Sequence, residues 1–497
     1  MNKINFSSKK YIPLIIILIF PFIAITDFHG WGDDWALYLA QARSIVNNEY
    51  SNFLTYNNFN VENSIFKSPL ALSWGYPILV SFLYKSFGNN YLVFKLQQIL
   101  FIFIFYLSFF IGFRRHLNLI SRIIIISLFG LNIFFLSPIN EPLTDYAYLA
   151  LSLLSLFGIF NIYERNDHYF NKYIDNILLS LLILFSYLVR EIGLTLYITL
   201  FIVQIRSFLI KSENKLFKDK IALLYKDAFH YFTPYLIKII YDISFNSILP
   251  NDNNFHQNEF LLININMLID NIFYYLKLPA YFFSKYAKIG IFFYIASIFP
   301  FLIGIKAKIK NDFSFKIYTI INILVLILFP HKQGLRLIYP IIPILFYYVF
   351  IGLNIIYNQT FYRSKYIKKT YNFIALILLS YWLCSLYFYK VNLNIEKYNS
   401  PFSNYFYESI EKIIIKTDKN EKILFFKPRL IKYLTGRDSF SGLEINQIFK
   451  SDYFLHYKEL HNSKKLLKEI NQSEEIDLIP YFNNDQFTLY KISYDKN

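Results

Sequence analysis

The chain alternates between long apolar runs and shorter segments that carry most of the Lys and Arg residues. Most of the runs approach the ~20 residues that an α-helix needs to cross a bilayer. The pattern therefore predicts a mostly α-helical, polytopic membrane protein with about eleven transmembrane helices. The predicted spans are 11–26, 91–113, 119–138, 142–163, 173–189, 191–210, 229–249, 289–305, 315–330, 335–357 and 371–390.

Four of these spans have features that need interpretation. The first one follows several lysines, a pattern shared by signal peptides and uncleaved first spans. Because no small-residue cleavage site follows, we interpret it as a span. Lys238 and Asp242 interrupt the run at 229–249, and Arg190 and Glu191 mark a turn that separates the two spans between 173 and 210.

The basic residues predict an orientation. If the N-terminus is cytoplasmic, the clusters at 114–122, 165–172, 206–226, 306–316 and 363–369 all fall in inner loops. This asymmetry is the one that the positive-inside rule requires. An odd number of spans then places the C-terminus outside the cytoplasm. We therefore expect a multi-pass protein of the cell (plasma or inner) membrane.

The C-terminal segment differs from the rest of the chain. Residues 1–390 read as the transmembrane domain, whereas charges become dense over 391–497. There, β-like runs at 422–427 and 486–492 alternate with a helical run at 463–470. This pattern predicts a small soluble α/β domain on the outer face.

The first outer loop, 27–90, is the other large element predicted on that face. It holds three of the four tryptophans, Trp31, Trp35 and Trp74, and has amphipathic helical patterns. Because tryptophan rings favour the headgroup level of a bilayer, we expect this loop to lie on the membrane surface.

Composition supports the membrane interpretation. Of the 497 residues, 55% are hydrophobic and 17% are charged, against about 25% charged in a typical soluble domain. The net charge of +16 would suggest nucleic acid in a soluble protein. The placement of the cations beside apolar spans explains it better, so we predict no nucleic-acid partner. The single cysteine, Cys384, excludes an internal disulfide and cysteine-based zinc clusters.

Two adjacent carboxylates, Asp33 and Asp34, open the first outer loop within GDDWALYLAQAR, residues 32–43. Helical spacing places Asp34, Tyr38 and Gln41 on one face, away from lipid. The pair could cap the helix and complement its dipole. It could equally present a base to a substrate, and the residues alone leave both interpretations open.

A second acidic site lies in SPINEPLTDYAYL. A helix that starts near Pro142 would place Glu141 and Asp145 on neighbouring surface. A carboxylate at membrane depth is costly unless it is paired or solvated. Asp145 therefore either meets a cation or a water-filled gap, or has a functional role.

Cations cluster on the same predicted side of the membrane. Each of them could be a snorkelling anchor. Together with the carboxylates, however, they suggest a cavity for an anionic, lipid-borne substrate. Walker A, GxGxxG and HExxH patterns are missing from the sequence, no cofactor is predicted, and a divalent metal is neither predicted nor excluded. These cations are Lys67, Arg190, His331, Lys332 and Arg336.

The segment GDDWALYLAQAR resembles the acidic first-loop motif of the GT-C glycosyltransferases. The likeness is strongest to the family 39-like branch of protein O-mannosyltransferases and lipid A aminoarabinose transferases. The stretch 66–88 resembles the Lys-Pro-Pro segment of that branch, with Lys67 matched and Ser68 in place of the first proline. Further similar segments are NEPLTDYAYL, LVREIGLTLY, GLRLIYPIIPIL and KPRLIKYLTGRDSF.

The resemblance implies an inverting transferase that takes a sugar from a polyprenyl-phosphate carrier at the non-cytoplasmic face. The acceptor would be a lipid, a glycan or a protein. Asp34 matches the principal catalytic aspartate, with Asp33 beside it. We expect Arg336, helped by Lys67 and Lys332, to bind the carrier phosphate. We expect supporting roles for Tyr38, Glu141, Asp145, Arg190 and His331.

Three other functions compete with this prediction. A transporter or flippase of lipid-linked sugars would show repeats and ionisable groups near the bilayer midplane, whereas the charges here lie at span ends. A polymerase or ligase of surface polysaccharide would share the lipid donor. A non-catalytic scaffold would not need Asp34 and Arg336 to face one cavity.

Overall fold

A computed structural model gives the fold of most of the chain. Lys67 and most of the predicted span 371–390 lie outside the described residues. The structure describes residues 12–27, 30–65, 68–213, 216–245, 248–250, 263–284, 287–308, 311–360, 380–385, 399–442, 444–473 and 475–494.

The described chain before the C-terminal segment is built from α-helices, most of which lie at the positions of the apolar runs. Asparagine side chains cap several of these helices: Asn90, Asn118 and Asn171 each accept a hydrogen bond from a backbone N–H in the first turn. In chain order, α1 to α16 are Ile12–Ile23, Asp34–Val46, Phe53–Asn63, Gly75–Phe87, Tyr91–Gly112, Leu119–Gly130, Ile133–Leu136, Asp145–Ile159, Lys172–Val189, Leu194–Ser212, Phe217–Phe245, Ile265–Lys277, Ala280–Phe283, Ala287–Ala307, Phe313–Leu328 and Ile342–Thr360.

Several helices are suited to a bilayer. Five in the described part of the chain are long and apolar enough to cross it, and a pair bent by 62°, Leu119–Gly130 with Ile133–Asn140, could form a sixth span. Large apolar side chains such as Leu100, Phe292 and Phe299 are exposed on this surface. The chain is therefore a multi-pass membrane protein, and the count of eleven spans stays a prediction. The five helices are Tyr91–Arg115, Asp145–Glu164, Lys172–Val189, Glu191–Ser212 and Lys288–Ala307.

The C-terminal segment folds as a small α/β unit, as its alternating pattern predicts. Its five strands form one sheet in the order β2-β1-β3-β5-β4. β1 pairs in parallel with β2 and β3, while β5 pairs antiparallel with β3 and β4. The strands β1 to β5 are Ile423–Leu424, Ser439–Phe440, Tyr453–Tyr457, Asp477–Asn483 and Phe487–Ser493, and the helices α17 to α20 are Asn404–Lys416, Pro428–Thr435, Ile445–Ile448 and His461–Asn471.

The first loop packs against this unit, which corrects the expectation that it lies on the membrane surface. Trp35 and Trp74 are 0% and 2% exposed, so their rings are inside the protein and not at a headgroup layer. Trp31 packs against aromatic rings of the C-terminal unit, including Phe406 and Phe426, whose centroids are each 5.1 Å away. Its Nε1 donates a hydrogen bond to the carbonyl of Asn399 at 2.6 Å. The tryptophan rings of the first loop are thus buried inside the protein and against the C-terminal unit, and not in lipid.

Replacing Trp31 with alanine should weaken the docking of the C-terminal unit. The variant loses the ring contacts and the Asn399 hydrogen bond, a loss of up to about 3 kcal/mol for a partly buried tryptophan. Thermal unfolding of the purified full chain would show a lower midpoint. Trp382→Phe alters an aromatic side chain elsewhere in the protein. Its unfolding midpoint shows how far the loss of any tryptophan destabilises the chain. An unchanged midpoint for Trp31→Ala would contradict this account of the interface.

Candidate active site

Asp33 and Asp34 lie where the first loop meets the C-terminal unit. Asp33 stands at the N-cap position of α2 but makes no side-chain capping hydrogen bond there. Asp34 Oδ1 instead pairs with Nη1 of Arg429 at 3.0 Å. The Asp34 side chain is 51% exposed, while that of Arg429 is only 6% exposed. A side-chain cap of α2 therefore does not account for Asp33. Asp34 lies in the first turn of the helix, and one side of its carboxylate stays open.

The helix α18 brings the basic residues of the C-terminal unit to this pair. Lys427 is its N-cap and Arg429 is in its first turn. Cations are unfavourable at a helix N-terminus, because the helix dipole is positive there. The two aspartates compensate for this charge. Arg429 Nη2 also donates to the carbonyl of Pro69 at 3.1 Å, which fixes the guanidinium against the first loop.

Other residues of the GDDWALYLAQAR segment hold the same interface. Arg43 Nη1 donates to the carbonyl of Tyr433 at 2.9 Å, and its guanidinium lies 4.9 Å from the centroid of that ring. Gln41 pairs with both backbone groups of Leu72, donating at 2.8 Å and accepting at 3.1 Å. The motif therefore positions Asp34 by anchoring α2 to α18 and to the following segment of the first loop.

Asp145 carries the second acidic position and is buried, with 4% exposure. Its Oδ1 accepts from Arg190 Nη1 at 2.6 Å, and its Oδ2 lies 3.6 Å from Nη1 of Arg336. Tyr38, at hydrogen-bond distance from Thr144 (3.5 Å), links α2 to the residue before Asp145. The buried carboxylate therefore has its cations, as one of the two sequence interpretations requires. The tight pair is with Arg190, and Arg336 stays 32% exposed.

Glu141 is not on the same helix as Asp145, contrary to the prediction of a helix starting near Pro142. A 3₁₀ turn ends at Asn140, and α8 begins at Asp145. The Glu141 carboxylate packs against the backbone of Gly30 and Gly32, where an added Cβ would lie 2.5 Å and 2.8 Å from its oxygens. A larger residue at either position would have to displace the Glu141 carboxylate, so the two glycines let the backbone before Asp33 approach it closely.

Electrostatics join these groups into one cluster. Burial raises the pKa of Asp33, which Arg429 and Lys427 oppose. Burial also raises the pKa of Glu141, which is opposed by Arg336 and reinforced by neighbouring carboxylates. The pKa of Arg336 is raised above its ordinary value, first by Asp145 and then by Asp34 and Glu141. The field of Arg336 therefore reaches both acidic positions predicted from the sequence.

Two predicted cations lie apart from these ion pairs. His331 packs edge-on against Phe329, and the Lys332 ammonium lies 5.6 Å from the centroid of Tyr274. Both side chains are exposed. Among the described residues, no group of three or more His, Cys, Asp or Glu side chains is arranged to hold a metal ion.

Sequence reasoning assigned no role to Lys427 or Arg429, although it noted the segment KPRLIKYLTGRDSF. A signal was present in that segment. Two cations flank the proline that starts a short helix, where the dipole disfavours them. Such a placement indicates an acidic partner elsewhere in the fold.

The arrangement of helices, first loop and C-terminal unit is the GT-C fold, which confirms the resemblance at the level of fold. ArnT from Cupriavidus metallidurans, solved with bound undecaprenyl phosphate, is similar with a TM-score of 0.55 and 9% identity, over 97% of this chain and 98% of that one. The oligosaccharyltransferase AglB from Archaeoglobus fulgidus, solved with an inhibitory peptide and a dolichol-phosphate, has a TM-score of 0.54 and 11% identity. That match covers 99% of this chain and 75% of AglB.

No protein-family model matches the chain, and no curated protein matches it.

Proposed function

We propose that the chain is an integral-membrane glycosyltransferase. It transfers a sugar from a polyprenyl-phosphate carrier to a lipid, glycan or protein acceptor at the non-cytoplasmic face, by a single inverting displacement. The observation that carries the proposal is that Arg336 pairs with Asp145 while its charge also interacts with Asp34, and that Asp34 and Arg336 are both partly exposed. Two proteins of similar fold bind undecaprenyl phosphate and a dolichol-phosphate.

Asp34 is the general base of this proposal. The acceptor oxygen attacks the anomeric carbon while its proton passes to the open side of the Asp34 carboxylate. Arg429 holds the other oxygen and so orients the base without neutralising it by proton transfer. Asp33, beside it, orients Asp34 or contacts the acceptor.

Arg336 binds the leaving group. As the bond between the anomeric carbon and the phosphate oxygen breaks, its electron pair moves onto the phosphate, whose charge grows. Asp145 is already held by Arg190 at 2.6 Å, whereas Arg336 lies 3.6 Å from it. The planar guanidinium of Arg336 is therefore free to donate two parallel hydrogen bonds to the phosphate oxygens. Lys67 and Lys332 are further candidates for contacts to the phosphate, and Tyr38, Glu141 and His331 are candidates for supporting roles.

The test is turnover of a lipid-linked sugar by the purified full chain in nanodiscs. Polyprenyl-phosphate sugars are offered one at a time, and release of the free polyprenyl phosphate is measured. Mass spectrometry of surface glycans from cells with and without the protein identifies the acceptor. A transferase consumes the donor, whereas a flippase moves it intact across the bilayer. Translocation without release of polyprenyl phosphate would overturn the proposal.

A further inference from the structure

A second polar site lies at the opposite end of the membrane helices. It is a cavity of about 520 Å³ between the ends of α5, α8, α10 and α14 and the start of α15. Residues Asp145–Glu164 run from the candidate active site to this cavity as one apolar span of 20 residues. At 1.5 Å per residue the two sites are about 30 Å apart, the thickness of the hydrocarbon layer. The cavity therefore lies at the level of the opposite lipid headgroups.

The lining of the cavity is strongly basic. It contains five cationic side chains and two carboxylates. Aromatic faces are prominent among the contacts of the arginines: Arg165 lies 4.7 Å from the centroid of Phe160, and Arg206 lies 4.3 Å from that of Phe313. The cations are Arg115, Arg165, Arg206, Lys211 and Lys308.

The carboxylates of the cavity do not pair with these cations. Glu164 accepts hydrogen bonds from the backbone N–H groups of Phe313 and Ser314, at 2.9 Å and 2.6 Å, and so caps α15. Asp312 is 1% exposed and accepts a hydrogen bond from the Tyr347 hydroxyl. Its Oδ1 has no hydrogen-bond partner among the described residues. Outside the lining, Arg115 pairs with Asp167 and Lys211 pairs with Asp227. The positive charge that a ligand would meet is therefore chiefly that of Lys308 and Arg165.

His116 completes the lining. Burial, with nearby Arg165 and Lys308, lowers its pKa to about 4, so the ring is neutral at pH 7 and its Nε2 accepts from Arg165 at 2.7 Å. Lys308 makes no ion pair or hydrogen bond through its ammonium group among the described residues. Its positive charge acts on both His116 and Asp312. The Lys308 ammonium and the Arg165 guanidinium thus act on the same two side chains, His116 and Asp312.

The Phe160–Glu164 segment of the wall is a π-helical turn. Such turns are rare and occur frequently at functional sites. Burial raises the pKa of Asp312, and nearby Lys308 opposes this shift. The π-helical turn favours a binding site over a purely structural cluster of cations.

We propose that this cavity binds a phosphate group, through Lys308 and Arg165, at the membrane end opposite the candidate active site. The phosphate comes either from the headgroup of an anionic lipid or from a soluble phosphate ester. The lipid source fits the level of the cavity in the bilayer, since basic pockets between membrane helices bind such headgroups. The site is independent of the sugar-transfer proposal, because it contains none of the same residues.

The experiment measures the thermal midpoint of the full chain in nanodiscs, because a ligand that binds the folded state raises it. One arm compares phosphatidylcholine discs with discs that contain phosphatidylglycerol, and the other adds inorganic phosphate to phosphatidylcholine discs. The variants are Lys308→Gln and Arg165→Gln. The matched control is Lys218→Gln, which removes an exposed cation from the same end of the bundle, outside the cavity.

We expect either phosphatidylglycerol or inorganic phosphate to raise the thermal midpoint of the wild type and of Lys218→Gln. Titration should show about tenfold weaker binding to Lys308→Gln and Arg165→Gln, the loss expected for one hydrogen bond to a charged group. A response to phosphatidylglycerol identifies the lipid source, and a response to inorganic phosphate identifies the soluble one. If neither arm shifts the wild type, or if the cavity variants respond as the wild type does, the proposal is wrong.

Discussion

Replacing Asp34 with asparagine is expected to reduce sugar transfer by about 10²–10⁴, the usual contribution of a positioned general base. Asparagine keeps the size of the side chain and an oxygen that can accept from Arg429, so the interface with α18 should survive. Asp34 is half exposed, which limits the stability lost with the ion pair to about 1 kcal/mol. The measurement is release of polyprenyl phosphate at saturating donor, together with the thermal midpoint.

Glu49→Gln is the matched control for this substitution. Glu49 is an exposed carboxylate just beyond the end of α2, and its replacement makes the same chemical change outside the cluster. It should leave transfer unchanged. Near-normal transfer by a folded Asp34→Asn protein would remove Asp34 from the role of base, while leaving the fold and the donor site untouched.

Replacing Arg336 with lysine or alanine is expected to lower transfer by about 10²–10³, as for the loss of one preorganised donor to a developing negative charge. Lysine keeps the charge but loses the planar fork that grips two phosphate oxygens, so it should be defective as well. Because the phosphate gains charge in the transition state, kcat should fall more than KM rises. Asp145 keeps its closer partner Arg190 at 2.6 Å, so the helices should stay packed.

If Arg336 were only a snorkelling anchor at the membrane interface, lysine would replace it without loss of transfer. Arg114→Lys and Arg114→Ala test that case at an exposed arginine beyond the far end of α5. We expect both to transfer normally. Wild-type turnover by Arg336→Lys and Arg336→Ala at limiting donor would show that Arg336 does not hold the phosphate.

Much of the fold follows from local sequence. The helices α5, α9 and α10 lie within three residues of their apolar runs, and α9 and α10 are separated at Arg190 and Glu191 as predicted. The run at 119–138 instead forms two helices bent by 62°. Asn132 caps the second helix there. Hydropathy reports which residues avoid water, but it does not report how a break within an apolar run is bent.

The tryptophans of the first loop show the limit of such reasoning. Trp35 has the amphipathic spacing of a helix that could lie on lipid, yet it is fully buried in the protein. An apolar ring gains similarly from leaving water in either place. Its own sequence neighbours cannot distinguish a bilayer from an aromatic partner such as Phe402, which lies more than 350 residues away and 5.9 Å from it.

The sequence by itself determined a membrane protein of mostly helical structure, an α/β C-terminal segment, and Asp34, Asp145, Arg190 and Arg336 as charged residues needing partners. Only the tertiary structure decided which partners they have. Arg429 reaches Asp34 across 395 residues, and Arg190 and Arg336 meet at Asp145 from two different segments. Periodicity and capping record interactions within a few residues along the chain, whereas these ion pairs exist because packing brings distant segments together.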